Sequence, residues 1–284
     1  MALLKSIFIN VYVITLVVVT VNAGLGYSKT LNLGWLGALM TAAPPLFLIL
    51  SFLVFKNKPR TSAKLFPIWF LGALGLCFAA YKFLKGSGPE LAFILAIIGF
   101  TTSLLYVFWY SHLSRTNSQL QLGGDLPDFS LETESGDNVQ SKDWRGYPSI
   151  LLFFRGNWCP LCMAQIKEIS AQYKEISQRG AKVRLISPQS HKQTRALAKR
   201  FDVDMDFLVD KDLKAAKQLG LFSRFGTPMG MQALGYGSDT VLPTVIITDD
   251  KGKIIFLDET DNYRVRPEPS TFISVLDGLS AKPA

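Results

Sequence analysis

Cys159 and Cys162 stand three positions apart in Arg155-Gly156-Asn157-Trp158-Cys159-Pro160-Leu161-Cys162. Thiols at this spacing have the reach for a disulfide when a helix starts between them, because positions i and i+3 share a helix face. The flanks predict that setting. Ser149–Phe154 is an apolar run that reads as a buried strand, and Met163–Ile169 repeats its apolar residues at helical spacing. A strand-to-helix turn carrying a dithiol fits a redox site. A thiolate at the helix start meets unpaired N–H groups and the positive end of the dipole. Cys159 is therefore expected to be the more acidic and more exposed thiol, with Cys162 one turn in and facing the core. Pro160 suits the first helical turn, where its missing N–H costs nothing. The same spacing also serves as a zinc half-site or as two buried thiols. Zinc needs two further ligands, and the chain offers only Cys77, His112 and His191, none in a second pair.

The chain around this segment divides by charge. Residues 1–116 hold nine Lys/Arg and one acid, Glu90, whereas residues 117–284 hold twenty-one of each sign. The basic excess belongs wholly to the apolar half, so the high pI is no nucleic-acid signal. Four apolar runs, about Ile7–Asn22, Leu33–Phe55, Leu65–Leu84 and Leu91–Tyr110, each approach the ~20 residues that cross a bilayer. Trp35, Trp69, Tyr81, Trp109 and Tyr110 fall near run ends, where an interfacial belt places aromatics. Residues 1–113 read as an integral membrane domain of four helices. Pro44-Pro45 should kink the second span, and Cys77, alone in mid-span, reads as a buried inert thiol. With no charge at the centre of any span, anchoring is the default role.

Four spans put Lys5, Lys56, Lys58, Arg60, Lys64 and Arg115 on one side, and Lys29, Lys82 and Lys85 on the other. The positive-inside rule then predicts a cell inner membrane protein with its C-terminal half in the cytoplasm. Met1–Ala23 also has the form of a signal peptide; its removal would leave the C-terminal half on the same side.

Ser114–Gly124 is polar, ends in Gly123-Gly124 and reads as a linker. From Asp125 to the end the pattern alternates. Strands are predicted at Ser149–Phe154, Lys182–Ser187, Thr244–Thr248 and Lys253–Leu257. Helices are predicted at Pro160–Gln178, His191–Phe201, Leu213–Leu219 and Ser270–Leu279, and Asp249-Asp250-Lys251-Gly252 makes a hairpin turn. The fold class is α/β: a sandwich of helices on a mixed sheet, behind a four-helix transmembrane region.

The segment Phe153-Phe154-Arg155-Gly156-Asn157-Trp158-Cys159-Pro160-Leu161-Cys162 resembles the active-site segment of thioredoxin-fold proteins. More narrowly it is similar to the peroxiredoxin-like branch of the alkyl hydroperoxide reductase/thiol-specific antioxidant (redoxin) family. Leu126-Pro127-Asp128-Phe129-Ser130-Leu131 with Gly136 resembles that family's opening hairpin, and Leu242-Pro243-Thr244 its cis-proline segment. Asp261-Asn262-Tyr263-Arg264-Val265-Arg266-Pro267-Glu268-Pro269 resembles its Tyr-x-x-Arg-x-Glu-Pro ending. The resemblance spans about residues 125–280 and implies a thioredoxin-like sandwich with Cys159 as attacking thiolate and Cys162 as resolving thiol. It further implies that Pro243, in cis, presents neighbouring backbone to a substrate, and that Arg266 and Arg155 stabilise thiolate and peroxide. One departure stands out: peroxiredoxins proper carry Pro-x-x-x-Thr-x-x-Cys, and the corresponding residues here are Leu152 and Gly156.

Three functions follow: a membrane-anchored thiol peroxidase, a dithiol–disulfide reductase, and a catalytically weak domain that binds or senses redox state beside the membrane. The two enzymes take a peroxide or a disulfide as substrate and draw electrons from a thiol reductant such as thioredoxin or glutathione. No cofactor, metal or nucleic acid enters any of these readings.

Overall fold

In the computed structural model, residues 1–55, 59–115 and 117–280 are described; Lys56 and Lys58 of the second basic cluster lie outside them. The chain forms two compact units that meet in sequence at His112 and Leu113. The first contains α1 (Ala2–Thr30), α2 (Leu33–Phe55), α3 (Phe66–Leu84) and α4 (Glu90–Leu105), with a π-helical turn over Tyr106–Tyr110. With that turn included in the fourth, all four helices are long and apolar enough to cross a membrane. Their mutual contacts use small residues. A Cβ on Gly37 would stand 2.4 Å from the Gly75 carbonyl oxygen, so α2 and α3 approach backbone to backbone. The polar side chains turn inward: the Tyr12 hydroxyl donates to Ser103 Oγ at 3.2 Å. The outward faces carry Phe47, Leu53, Val54, Leu84 and Phe108. Cys77 departs from expectation. Gly72, Gly75 and Ala79 take the interior side of α3, which leaves the thiol on the exposed side.

The second unit is built on β1 (Ser130–Thr133), β2 (Asn138–Gln140), β3 (Ser149–Phe153), β4 (Lys182–Ser187), β5 (Asp206–Val209), β8 (Thr244–Thr248) and β9 (Ile254–Asp258). They make one mixed sheet in the order β2-β1-β5-β4-β3-β8-β9. β3, β4 and β5 run parallel, while β8 is antiparallel to β3 and β9 to β8. Every residue of β3 and β8 is buried, as their unbroken apolar runs require of strands covered on both faces. The helices are α5 (Pro160–Ala171), α6 (Tyr173–Ser177), α7 (His191–Ala198), α8 (Lys214–Gln218) and α9 (Pro269–Ser280). A short ribbon, β6 (Phe222–Ser223) with β7 (Thr240–Val241), flanks the sheet. Parallel strands at the centre, an antiparallel pair at each edge and helices packed on the faces make a thioredoxin-like sandwich.

Three details differ from the sequence reading. The helix expected over Pro160–Gln178 breaks at Gln172 (φ −104°, ψ 10°) into α5 and α6. β5 was not foreseen, because Asp202, Asp204 and Asp206 make its approach look like a polar loop. Residues 117–124, within the expected linker 114–124, lie along the sandwich instead. Gln119 N–H donates to Leu219 O at 3.1 Å, Gly123 N–H to Ile254 O at 2.8 Å, and Leu120 is buried in the core.

Candidate active site: the Cys159–Cys162 dithiol

β3, between β4 and β8, delivers the cysteine turn. Its pairing with β4 continues one step, Phe154 N–H to Ile186 O at 2.9 Å, and the chain then leaves the sheet. Gly156 makes the departure possible with φ +140°, in the region that favours glycine. Asn157 is pinned on both sides: its N–H donates to Gln189 Oε1 at 2.9 Å and its Nδ2 to Gln193 O at 3.0 Å. Cys159 follows as the N-cap of α5, with Pro160 at the first helical position. Its sulfur accepts the Cys162 N–H at 3.4 Å. The thiol does here what a serine hydroxyl does at other helix starts, satisfying one of the orphan donors.

The two sulfurs are 2.7 Å apart, and both side chains are buried, with 3% of Cys159 and none of Cys162 exposed. Behind them lies Arg266, itself buried. One guanidinium nitrogen is 3.5 Å from Cys162 Sγ and the other donates to Gln165 Oε1 at 2.8 Å. No carboxylate ion-pairs with Arg266 among the described residues. A buried guanidinium needs a counter-charge; the sulfur it touches supplies the nearest one, with Asp258 contributing from farther away.

These contacts reverse one expectation. Burial alone pushes both thiols up. At Cys162 that effect is overcome by the hydrogen bond to Cys159, the Arg266 charge and the Arg155 backbone N–H, and the pKa falls to about 6. Cys159 moves well above its ordinary value, through burial first and then through its bond to the neighbouring sulfur and the charge there. The acidic thiol is therefore Cys162, not Cys159. One long N–H contact at the helix start is a weaker stabiliser than a guanidinium in a desolvated pocket. The expectation of greater exposure for Cys159 agrees with the structure, narrowly.

The other predicted residues are brought near the dithiol in different ways. Arg155 stacks on Trp158, 4.7 Å from the ring centroid, and donates to Gly226 O, while its carbonyl accepts from Thr240 Oγ1 at 2.9 Å. Its guanidinium adds positive potential to both sulfurs, and its backbone N–H donates to Cys162. Pro243 precedes β8, and Thr244 pairs with Phe153, so Pro243 stands at the end of the sheet where the cysteine turn begins. The Leu242–Pro243 peptide is trans, correcting the cis geometry implied by resemblance; trans is the ordinary state of an X-Pro bond. The adjoining backbone is also already engaged: Leu242 N–H donates to Leu221 O at 2.7 Å and Leu242 O accepts from Thr244 Oγ1 at 3.0 Å.

Gln165 was missed in the sequence. Its signal was a lone amide on the apolar face of α5, between Cys162 and Ile169, where a buried polar side chain needs a partner. Gln165 Nε2 and Arg266 Nε have no hydrogen-bond partner among the described residues. No group of three or more His, Cys, Asp or Glu gathers among the described residues.

The missing threonine now has a physical reason. A Cβ on Gly156 would stand 2.9 Å from Trp158 Nε1, on a backbone that β-branched residues avoid. The site has no place for a hydroxyl at that position.

Residues 122–257 match the AhpC/TSA family profile. The match covers just under half of the chain. Among curated proteins to which this chain is similar, the thioredoxin-like protein YneN of Bacillus subtilis is 28% identical over 164 residues, 57% of this chain and 82% of that protein. The chloroplastic peroxiredoxin Q of Gentiana triflora is 29% identical over 127 residues, 43% of this chain and 57% of that protein. The thiol-disulfide oxidoreductase ResA of Bacillus cereus (strain ZK / E33L) is 21% identical over 166 residues, 58% of this chain and 81% of that protein.

Proposed function

We propose that this chain is a membrane-anchored thiol–disulfide oxidoreductase that works through Cys159 and Cys162. Thiol-dependent oxidoreductase chemistry is common to the named relatives on both sides, thioredoxin-like and peroxiredoxin. The observation that carries the exchange reading is the pair itself: two sulfurs 2.7 Å apart with one of them ionised near neutral pH. Cys159, the more accessible sulfur, passes its proton to Cys162 and attacks one sulfur of a disulfide. The Cys159–substrate mixed disulfide forms and the first substrate thiolate leaves. Cys162 then gives its proton to the departed substrate thiolate and, as a thiolate beside Arg266, attacks the Cys159 sulfur. The intramolecular disulfide closes, the second substrate thiolate departs, and two electrons have passed from the dithiol to the substrate. A thiol reductant of the thioredoxin or glutathione class returns them. Arg155 contributes positive potential, and Pro243 forms part of the wall beside the turn.

Peroxide reduction is the second reading, favoured by the buried Arg266 next to the thiolate. There the Cys159 thiolate attacks one peroxide oxygen, and the O–O bond breaks with release of the alcohol or water. Cys162 condenses with the resulting sulfenic acid, releasing a further water. The closed-off Gly156 position weighs against efficient peroxide turnover. Turnover of a disulfide and of a peroxide by the full-length chain, side by side and with Cys159→Ser as control, separates the two. Exchange predicts the disulfide as the better substrate by at least tenfold in kcat/KM, and the reverse preference overturns it.

The four apolar helices supply the anchor in this proposal, and the bias of basic residues supplies the orientation, with the redox domain on the cytoplasmic face of the inner membrane. A reporter fused after Leu120 is expected to behave as cytoplasmic; activity of an export-dependent reporter at that position contradicts it.

A further inference from the structure

Arg115 lies outside the residues that match the family profile, shortly before the stretch that runs along the sandwich. Its side chain is only 8% exposed, and every partner it has holds the same corner of the sheet. Nε donates to Thr260 O at 2.6 Å, one terminal nitrogen donates to Thr244 Oγ1 at 3.0 Å, and the other to Pro243 O. Glu259 completes the surroundings, with an oxygen 3.8 Å away. The contacts continue inward, because the Thr244 hydroxyl that accepts from Arg115 donates to Leu242 O. Thr244 pairs with Phe153, the last residue before the chain turns toward Arg155 and the cysteines. The guanidinium thus ties the open end of β8 and β9 to the backbone shelf that flanks the dithiol.

We propose that Arg115 is a positioning residue of the redox site, fixing the Leu242–Pro243 backbone shelf beside the cysteine turn. The proposal rests on the dithiol function given above. Three forked donors fix a carbonyl, a hydroxyl and a second carbonyl at once, which a lysine ammonium at the end of a flexible stem does not do. A shelf displaced by a fraction of an ångström misaligns an incoming sulfur or oxygen with Cys159, and the loss appears in substrate binding before it appears in thiol chemistry. A second residue is built for the strap that follows Arg115. Gly220 has φ +73°, and a Cβ there would stand 1.8 Å from Asn117 O, so the strap passes only over a glycine.

The test uses the full-length chain in detergent or nanodiscs, with Arg115→Ala, Arg115→Lys and Gly220→Ala, and both a disulfide and a peroxide as substrates. Arg115→Ala is expected to raise KM about tenfold at unchanged kcat and unchanged thiol titration, with Arg115→Lys restoring part of the loss. Gly220→Ala, which leaves every catalytic group in place, is expected to raise KM at least twofold. A KM rise below fivefold in Arg115→Ala overturns the proposal, as does a fall in kcat that merely follows the folded fraction. A folded Gly220→Ala chain with wild-type KM overturns the role given to the strap. A wild-type chain that turns over neither substrate defeats the dithiol function itself, and this proposal with it.

Discussion

The front and the back of the dithiol are governed by different parts of the molecule. At the front, Cys159 caps α5 beside Trp158, and its environment is set by residues within a few positions in sequence: Gly156, Pro160 and the Cys162 N–H. At the back, Cys162 meets Arg266, which arrives from 104 residues away and is itself held by Gln165. Local structure decides which sulfur is reachable, while the sulfur–sulfur hydrogen bond and, after it, a distant cation favour charge on Cys162. The two thiols need not be the same one, because a proton crosses 2.7 Å between them far faster than a disulfide is attacked. Mapping acidity onto reactivity residue by residue therefore misleads in a pair this close.

The largest effect that sharpens this contrast is loss of the front sulfur. Cys159→Ser should abolish disulfide turnover, by about a thousandfold or more, since the remaining sulfur is fully enclosed. Cys162→Ser should stop multiple turnover but still accept one substrate, leaving a mixed disulfide on Cys159 that intact-mass spectrometry detects. If both single variants cycle normally, the division of roles fails.

Next comes the charge at the back. Arg266→Met removes the counter-ion and should return the first thiol ionisation from about 6 toward the ordinary cysteine value. The rate of exchange at pH 7 should then fall roughly tenfold, while methionine fills the space and the fold survives. Thiolate absorbance across a pH titration reads this directly; an unmoved midpoint would mean that the helix start, not Arg266, carries the stabilisation.

The same charge predicts a pH signature. An acid whose folded pKa is depressed adds stability above its unfolded pKa and loses it as pH falls through the folded one. Reduced chain should therefore gain thermal stability relative to oxidised chain as pH rises from about 6 to about 9, the window between the shifted and ordinary Cys162 values. A difference in melting temperature that stays flat over that window contradicts a thiolate on Cys162.

The smallest expected effect tests the turn at the front. Gly156→Thr places a β-branched residue at φ +140° against Trp158 and should cost about 1–3 kcal/mol of stability. It should not raise peroxide turnover, even though it restores the residue type that peroxiredoxins proper carry. A gain of tenfold or more with peroxide would show that the turn can be rebuilt into a peroxide site.

The front of the site was legible in the sequence and the back was not. Apolar strand, Gly156, Cys-Pro-Leu-Cys and helical spacing are all local signals, and the strand, cap and helix lie where they point. The four apolar helices were legible for the same reason, because length and composition suffice to define them. The acidity of Cys162 depends on a cation far along the chain and on Gln165, whose only trace was one amide in an apolar stripe. The strap over residues 117–124 was hidden because polar residues and a Gly-Gly pair look alike whether a segment is free or hydrogen-bonded to the core. The trans bond at Pro243 reversed a geometry that only the resemblance had implied.

Alkylation of the reduced full-length chain as a function of pH, with the label mapped to each cysteine, tests the central claim most directly. The account predicts that Cys159 is labelled first, at a rate that rises with a midpoint near 6, and that Arg266→Met moves this midpoint up without changing which cysteine is labelled. First labelling at Cys162, or a midpoint near the ordinary thiol value of 9.0 in the unmutated chain, would contradict it.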